Sequence, residues 1–194
     1  MNKNEIFSLL RNNFQFEPTS GQELLMHKVA TYLAEPNQQA VFMLKGYAGT
    51  GKTSFITTLV KTLPAIHCEF CLLAPTGRAA KVITGYTGAD ATTIHKKIYN
   101  IRTDKKGTSL AVLKENPHSD TLFIVDEASM ISNSEGDGGT ALFGTRNLLH
   151  DLFQFVDSGE NCMLMFVGDT AQLPPVKLNI SPALDVDYLQ HELH

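Results

Sequence analysis

An α/β fold, with a parallel sheet sandwiched between helices, is predicted by three features of the 194-residue sequence. Apolar runs at 41–44, 69–73, 121–125 and 162–167 have strand length and little polar interruption, the pattern of strands buried on both faces. Segments with helical spacing separate most of them, so strands and helices alternate along the chain. Glycines or carboxylates follow three of the runs, at carboxyl ends of strands, where open α/β sheets bind ligands.

The elements follow in order. Ile6, Leu10 and Phe14 recur at helical spacing over 4–14. Ser20 and Glu23 have the spacing of a capping box opening a second helix, with Leu25, Val29 and Leu33 on one face and Pro36 as its stop. The run 41–44 enters a glycine-rich loop. Residues 54–63 form the next helix, stopped by Pro64. The strand at 69–73 leads through a turn at 74–77 into a helix from Arg78 to about Ile83, and 91–97 adds a short helix. Apolar stretches at 98–101 and 110–113 around the polar segment 104–107 predict a β-hairpin. Residues 132–140 are polar and glycine-rich and predict a loop. Leu148, Leu152, Phe153 and Val156 predict a last helix before the strand at 162–167. No internal repeat is visible. One domain over 1–194 accounts for the pattern, with N-terminal helices in 1–40 and a small hairpin insertion in 98–118.

Composition narrows the function. Hydrophobic residues make up 43% and charged residues 19%, ordinary for a globular protein. No apolar stretch is long enough to span a bilayer and the start is polar, so the expected compartment is the cytoplasm and no membrane partner is expected. The 3 cysteines argue against a disulfide framework. Cys68 and Cys71 form a C-x-x-C beside His67, but residues three apart on a strand face opposite ways, so core filling is the expected role. Net charge is −4. Within 78–106, however, Arg78, Lys81, Lys96, Lys97, Arg102, Lys105 and Lys106 stand against only Asp90 and Asp104. Charge alone would read this stretch as a solvated face.

The chemistry lies in 46–53. Gly46, Tyr47, Ala48, Gly49, Thr50, Gly51, Lys52 and Thr53, with Ser54 following, match G-x-x-x-x-G-K-[ST] in full, between a strand and a helix. This is the P-loop of an NTPase. Its glycines let backbone N–H groups curl around phosphate oxygens, and the helix N-terminus adds its positive dipole end. Lys52 is expected on the β- and γ-phosphates of ATP, and Thr53 on Mg²⁺. Asp126 and Glu127 close the strand 122–125. Asp126 is the expected second holder of Mg²⁺, and Glu127 the group that orients and deprotonates the attacking water. Gln172, beyond Gly168 and Asp169, is an uncharged amide at a third strand end, suited to sensing γ-phosphate.

Five segments in order, GYAGTGKT (46–53), LLAPTGRAAK (72–81), ATTIH (91–95), IVDEASM (124–130) and VGDTAQLPPV (167–176), resemble the superfamily 1 DNA helicases of the 5′-to-3′ branch, and especially its RecD-like group. That group includes the alpha subunit of exodeoxyribonuclease V and the phage Dda helicase. The resemblance implies a RecA-like domain, with Gln172 sensing γ-phosphate. It implies that Gln22, in a segment similar to the Q motif, contacts adenine; a local first-turn role fits that residue equally. It places single-stranded DNA on Pro75, Thr76, Gly77, Arg78 and Lys81, and on Thr92, Thr93 and His95, through backbone contacts without sequence specificity. A capping or core role for His95 stays open. The hairpin falls where relatives insert a DNA-facing subdomain, so a reduced strand-separating pin and a plain connection are both open for it. The family carries a second RecA-like domain, which supplies arginines to the cleft. The resemblance therefore implies that domain as a partner in cis within a longer protein, slow hydrolysis without it, and further subunits wherever such a motor serves a helicase–nuclease complex in repair or recombination. A nucleotide-dependent binding module acting in trans is the competing reading.

Overall fold

The computed structural model describes residues 1–35, 40–103, 109–131, 147–169 and 181–192. Helices α1 (Lys3–Asn13) and α2 (Ser20–Ala34) precede β1 (Val41–Lys45) and α3 (Lys52–Thr62). Then come β2 (Glu69–Ala74), α4 (Gly77–Thr87), β3 (Ala91–Thr93) and α5 (Ile94–Ile98). The hairpin strands β4 (Tyr99–Thr103) and β5 (Ser109–Leu113) follow, then β6 (Thr121–Val125), α6 (Leu148–Asp157), β7 (Met163–Gly168) and α7 (Val186–Glu192).

Five strands form one parallel sheet in the order β1-β7-β6-β2-β3. Side chains alternate across β6. Leu122 and Ile124 enter a core built with α1, α2, α3 and α4, while Phe123 and Val125 enter a second core with α5, α6 and α7. The sheet is thus covered on both faces, as its apolar strands require. All strands run the same way, so their carboxyl ends line one rim. Lys45 pairs with Gly168, Leu73 with Val125 and Ala74 with Thr93.

Several expectations shift. The capping box lies one residue earlier than Ser20 and Glu23: Thr19 is the N-cap, accepting from Gln22 N, and Gln22 returns the bond to the Thr19 N–H. Both pairs have the right spacing, and Thr19 wins because it alone takes the extended cap conformation (φ −69°, ψ 161°). Strand β1 is half-buried rather than buried, because among the described residues it is paired only on its β7 side. Helix α4 runs past Ile83 to Thr87 and stops at Gly88, which takes the left-handed cap conformation (φ 73°). Residues 91–93 are a strand paired with β2, not the start of a helix. The hairpin forms as expected, Tyr99 opposite Leu113, and Tyr99 Oη anchors it by donating to Asp151 Oδ2 of α6 at 2.7 Å. Cys68 lies in the first core and Cys71 packs on the second, so the two thiols do face apart. Burial pushes the Cys68 thiol up to about 11 and raises that of Cys71, keeping both protonated. The expected loop at 132–140, the stop at Pro36 and the hairpin turn at 104–107 lie outside the described residues.

Candidate nucleotide site and anion groove

The P-loop leaves β1 at Lys45 and enters α3 at Lys52. Its first residue is tied to the sheet, Gly46 N donating to Gly168 O of β7 at 3.1 Å. Thr50 closes the turn from within, its N and Oγ1 both donating to Tyr47 O at 3.3 and 2.8 Å. Gly51 caps α3 at φ 92°, a conformation that L side chains rarely adopt. A Cβ there would also stand 2.6 Å from Gln22 Nε2. That amide donates to Thr50 O at 3.2 Å, while its oxygen accepts from Thr19 N at 2.9 Å. Gln22 therefore braces the P-loop from α2. Lys52 Nζ lies over the loop, donating to Gly46 O and Tyr47 O at 2.6 and 2.9 Å, with Asp169 Oδ2 at 4.0 Å. Tyr47, Ala48, Gly49 and Thr50 are exposed, as a loop that wraps a ligand requires.

Two strands away, β6 delivers Asp126 and Glu127 to the same rim. Asp126 N continues the sheet by donating to Leu73 O at 3.0 Å. Glu127 sits at φ 54° as the cap of a short 3₁₀ turn, Ala128–Met130, a left-handed conformation uncommon for a non-glycine residue. Ser181 pins this turn, its Oγ lying 2.9 Å from both Ala128 O and Ile131 O and sharing its single proton between them. Thr53, Asp126 and Glu127 line one cleft of about 460 Å³ with Thr76, Arg78 and Tyr86. Ser54 faces the neighbouring cavity of about 490 Å³ with Thr57 and Lys61. The donor set in the cleft is a hydroxyl and carboxylates, hard oxygen ligands that suit Mg²⁺ completed by phosphate oxygens and water. Among the described residues no group of three or more His, Cys, Asp or Glu forms a closed metal site.

Tyr86 was not legible as a site residue. Its hydroxyl donates to Asp126 Oδ2 at 2.7 Å, and burial, helped by the Asp126 charge, raises its pKa well above the phenol range. It is therefore a donor at neutral pH. No motif carries it, and it lies 40 positions from its partner.

The residues expected on DNA divide. Gly77, Lys81, Thr92 and Thr93 line one groove of about 320 Å³ with Thr84 and Lys96. Arg78 and Thr76 face the Asp126 cleft, and Arg78 also lines a hollow with Gly77 and Lys81 that lies beside the groove. Thr76, preceded by Pro75, caps α4, accepting from Ala79 N at 3.2 Å. Thr93 Oγ1 accepts from Lys96 N at 3.2 Å. His95 does not line the groove; its half-buried ring lies 5.9 Å from that of Tyr99, and burial lowers its pKa. Thr84 and Lys96 are the polar groove residues that sequence reasoning missed, Lys96 being visible there only as part of the basic stretch. Gln172 lies outside the described residues.

No described helix is long and apolar enough to cross a membrane. A family model for an AAA domain matches residues 30–178. The chain is 30% identical over 160 residues to the ATP-dependent RecD2 DNA helicase of Deinococcus radiodurans, covering 82% of this chain and 19% of that protein. It is 34% identical over 148 residues to an uncharacterised protein of Methanocaldococcus jannaschii, covering 70% and 11%. It is 24% identical over 177 residues to an uncharacterised protein of Acanthamoeba polyphaga mimivirus, covering 80% and 33%. The chain thus spans a third or less of the length of these relatives. The matched span contains the P-loop, the Asp126–Glu127 strand end and the groove together, and the chain belongs to the AAA-domain family, as a helicase-like ATPase domain of the RecD-like superfamily 1 kind.

Proposed function

We propose that this chain is the first RecA-like domain of an ATP-driven motor on single-stranded DNA, moving 5′-to-3′ and serving DNA repair or recombination in the cytoplasm. The observation that carries the reading is the convergence of Thr53, Asp126 and Glu127 on one cleft beside Lys52. Lys52 turns from the loop carbonyls to the β- and γ-phosphates of ATP. Thr53 Oγ1 and the Asp126 carboxylate would hold Mg²⁺, which supplies charge neutralisation between the phosphates when bound. Glu127 orients the attacking water and takes its proton. Gln172 reports loss of the γ-phosphate, and Gln22 passes from bracing the loop to contacting adenine. Single-stranded DNA lies along Gly77, Lys81, Thr92, Thr93 and Lys96, with phosphates on the α4 N-terminus. A second RecA-like domain in cis supplies the arginines that complete the cleft, worth about a thousandfold or more in rate.

The test is ATP turnover by the full-length native protein with and without single-stranded DNA. DNA should stimulate it. Lys52→Ala and Glu127→Gln should each lower it by about a hundredfold or more, with Glu127→Gln keeping nucleotide affinity. Turnover at the wild-type rate in Glu127→Gln would sink the assignment.

A further inference from the structure

We propose that Tyr86 is a positioning residue for Asp126, and that through one turn of α4 it links the occupancy of the anion groove to the binding of metal and nucleotide. The inference rests on the reading above, in which Asp126 holds Mg²⁺ and the groove takes a phosphate backbone.

Each oxygen of Asp126 is held by one donor. Oδ1 accepts from the Glu127 N–H at 2.9 Å, and Oδ2 from the Tyr86 hydroxyl at 2.7 Å. The first bond is local to the turn. The second comes from another element, and together they fix the plane of a carboxylate that a single bond would leave free to rotate. Partners behind a metal ligand set its orientation, and losing one typically costs about 10–100-fold in metal affinity. The Tyr86 ring also forms part of the wall of both cavities that Thr53 lines, so it stands beside both expected metal-holding side chains.

The same helical turn faces the groove. Thr84 Oγ1 accepts from Ala91 N of β3 at 3.0 Å and lines the groove with Lys81, Thr92, Thr93 and Lys96. Thr84 and Tyr86 are thus bonded on opposite sides, one to the groove wall and one to the metal-holding carboxylate. Helix α4 begins at the groove with Gly77 and Lys81, and a hydrogen-bonded helix shifts as a unit. A phosphate drawn onto its first turns moves the Tyr86 hydroxyl relative to Asp126. A displacement of about half an ångström takes an O–H···O bond out of its good range. The two sites are then coupled, and the coupling is reciprocal.

Tyr86→Phe keeps the ring and removes the hydroxyl. The probes are Mn²⁺, a fluorescent non-hydrolysable ATP analogue and an oligothymidylate, with binding by the full-length protein as the readout. In the wild type, the metal concentration for half-maximal analogue binding should move when oligothymidylate is added. In Tyr86→Phe that concentration should rise about tenfold, metal-free analogue binding should stay the same, and the oligothymidylate should no longer move it. Thr84→Val tests the groove side: at oligothymidylate concentrations that saturate the variant, the shift of the metal midpoint should be lost, so this variant decides the coupling if Tyr86→Phe does not fold. Analogue binding in the wild type that ignores metal would overturn the ATPase reading itself. A metal-dependent wild type with an unaltered Tyr86→Phe midpoint overturns the positioning role. A wild-type midpoint indifferent to DNA, or a Thr84→Val protein that responds to DNA like the wild type, overturns the coupling.

Discussion

His95 and Lys96 are neighbours in sequence with different electrostatic roles. Burial lowers the His95 pKa, so its imidazole is neutral at pH 7, whereas Lys96 is exposed and lines the groove. A neutral group releases no counterion from a DNA backbone. Each lysine that meets a phosphate of a single strand contributes about 0.7 to the slope of log affinity against log salt. Lys81→Ala and Lys96→Ala should each reduce the slope for oligothymidylate by about that amount at pH 7. His95→Ala should leave it unchanged, whatever it does to the affinity itself. Equal slopes in all three variants would remove the lysines from the phosphate path. The residue scale is also where the sequence was most and least legible. The placing of Lys52, Thr53, Asp126 and Glu127 at one rim of the sheet could be expected from the sequence, because their motifs tie them to strand ends. The places of Tyr86 and Lys96 could not, since only the packing of α4 against β2 and β3 brings Tyr86 to Asp126 and closes the groove that Lys96 lines.

Helix α4 shows how an element is placed by its ends. Thr76 caps it at the start and Gly88 ends it, one satisfying a free N–H and the other taking a conformation costly to other residues. Thr76→Ala should lower stability by about 1 kcal/mol, read as a shift in urea midpoint at constant slope. Thr76→Ser should restore it, because the hydroxyl carries the cap. An unshifted Thr76→Ala midpoint would mean that packing alone holds this helix start. Gly88 was available in the sequence as the stop signal, but the polar stretch after Ile83 hides the last turn, which one-sided burial does not mark. Strand β3 was misread for a related reason. Three residues are too few to show a period, and Ala91, Thr92 and Thr93 become a strand only because β2 offers them an edge. The box at Thr19 and Gln22 differs from the expected one by a single step, a choice made by backbone geometry that two overlapping patterns cannot distinguish.

At the scale of the whole molecule, the parallel α/β sandwich was legible because strands buried on both faces must be apolar at every position. The strand order was not, since hydrophobicity says nothing of which strands are neighbours. That order matters: β7 lies between the P-loop strand and β6, so Asp169 comes to the Lys52 side while Asp126 stands across the cleft. Strand β6 also joins the two cores, with Ile124 fully buried in one and Phe123 in the other. A strand shared in this way makes the layers a single cooperative unit. Phe123→Ala should cost about 3–5 kcal/mol and Ile124→Ala about 2–5 kcal/mol. Each should lower one common thermal midpoint by about 2–4 °C per kcal/mol. Scanning calorimetry would separate this from independent layers, which would give two transitions with each variant moving only its own. The nucleotide extends the argument. Mg²⁺ and ATP at about a hundred times the dissociation constant should add roughly 2.7 kcal/mol to whatever unfolds together with the P-loop. If the sheet truly joins the layers, that gain must raise the midpoint of Phe123→Ala, whose lesion lies in the opposite core, as much as that of Ile124→Ala.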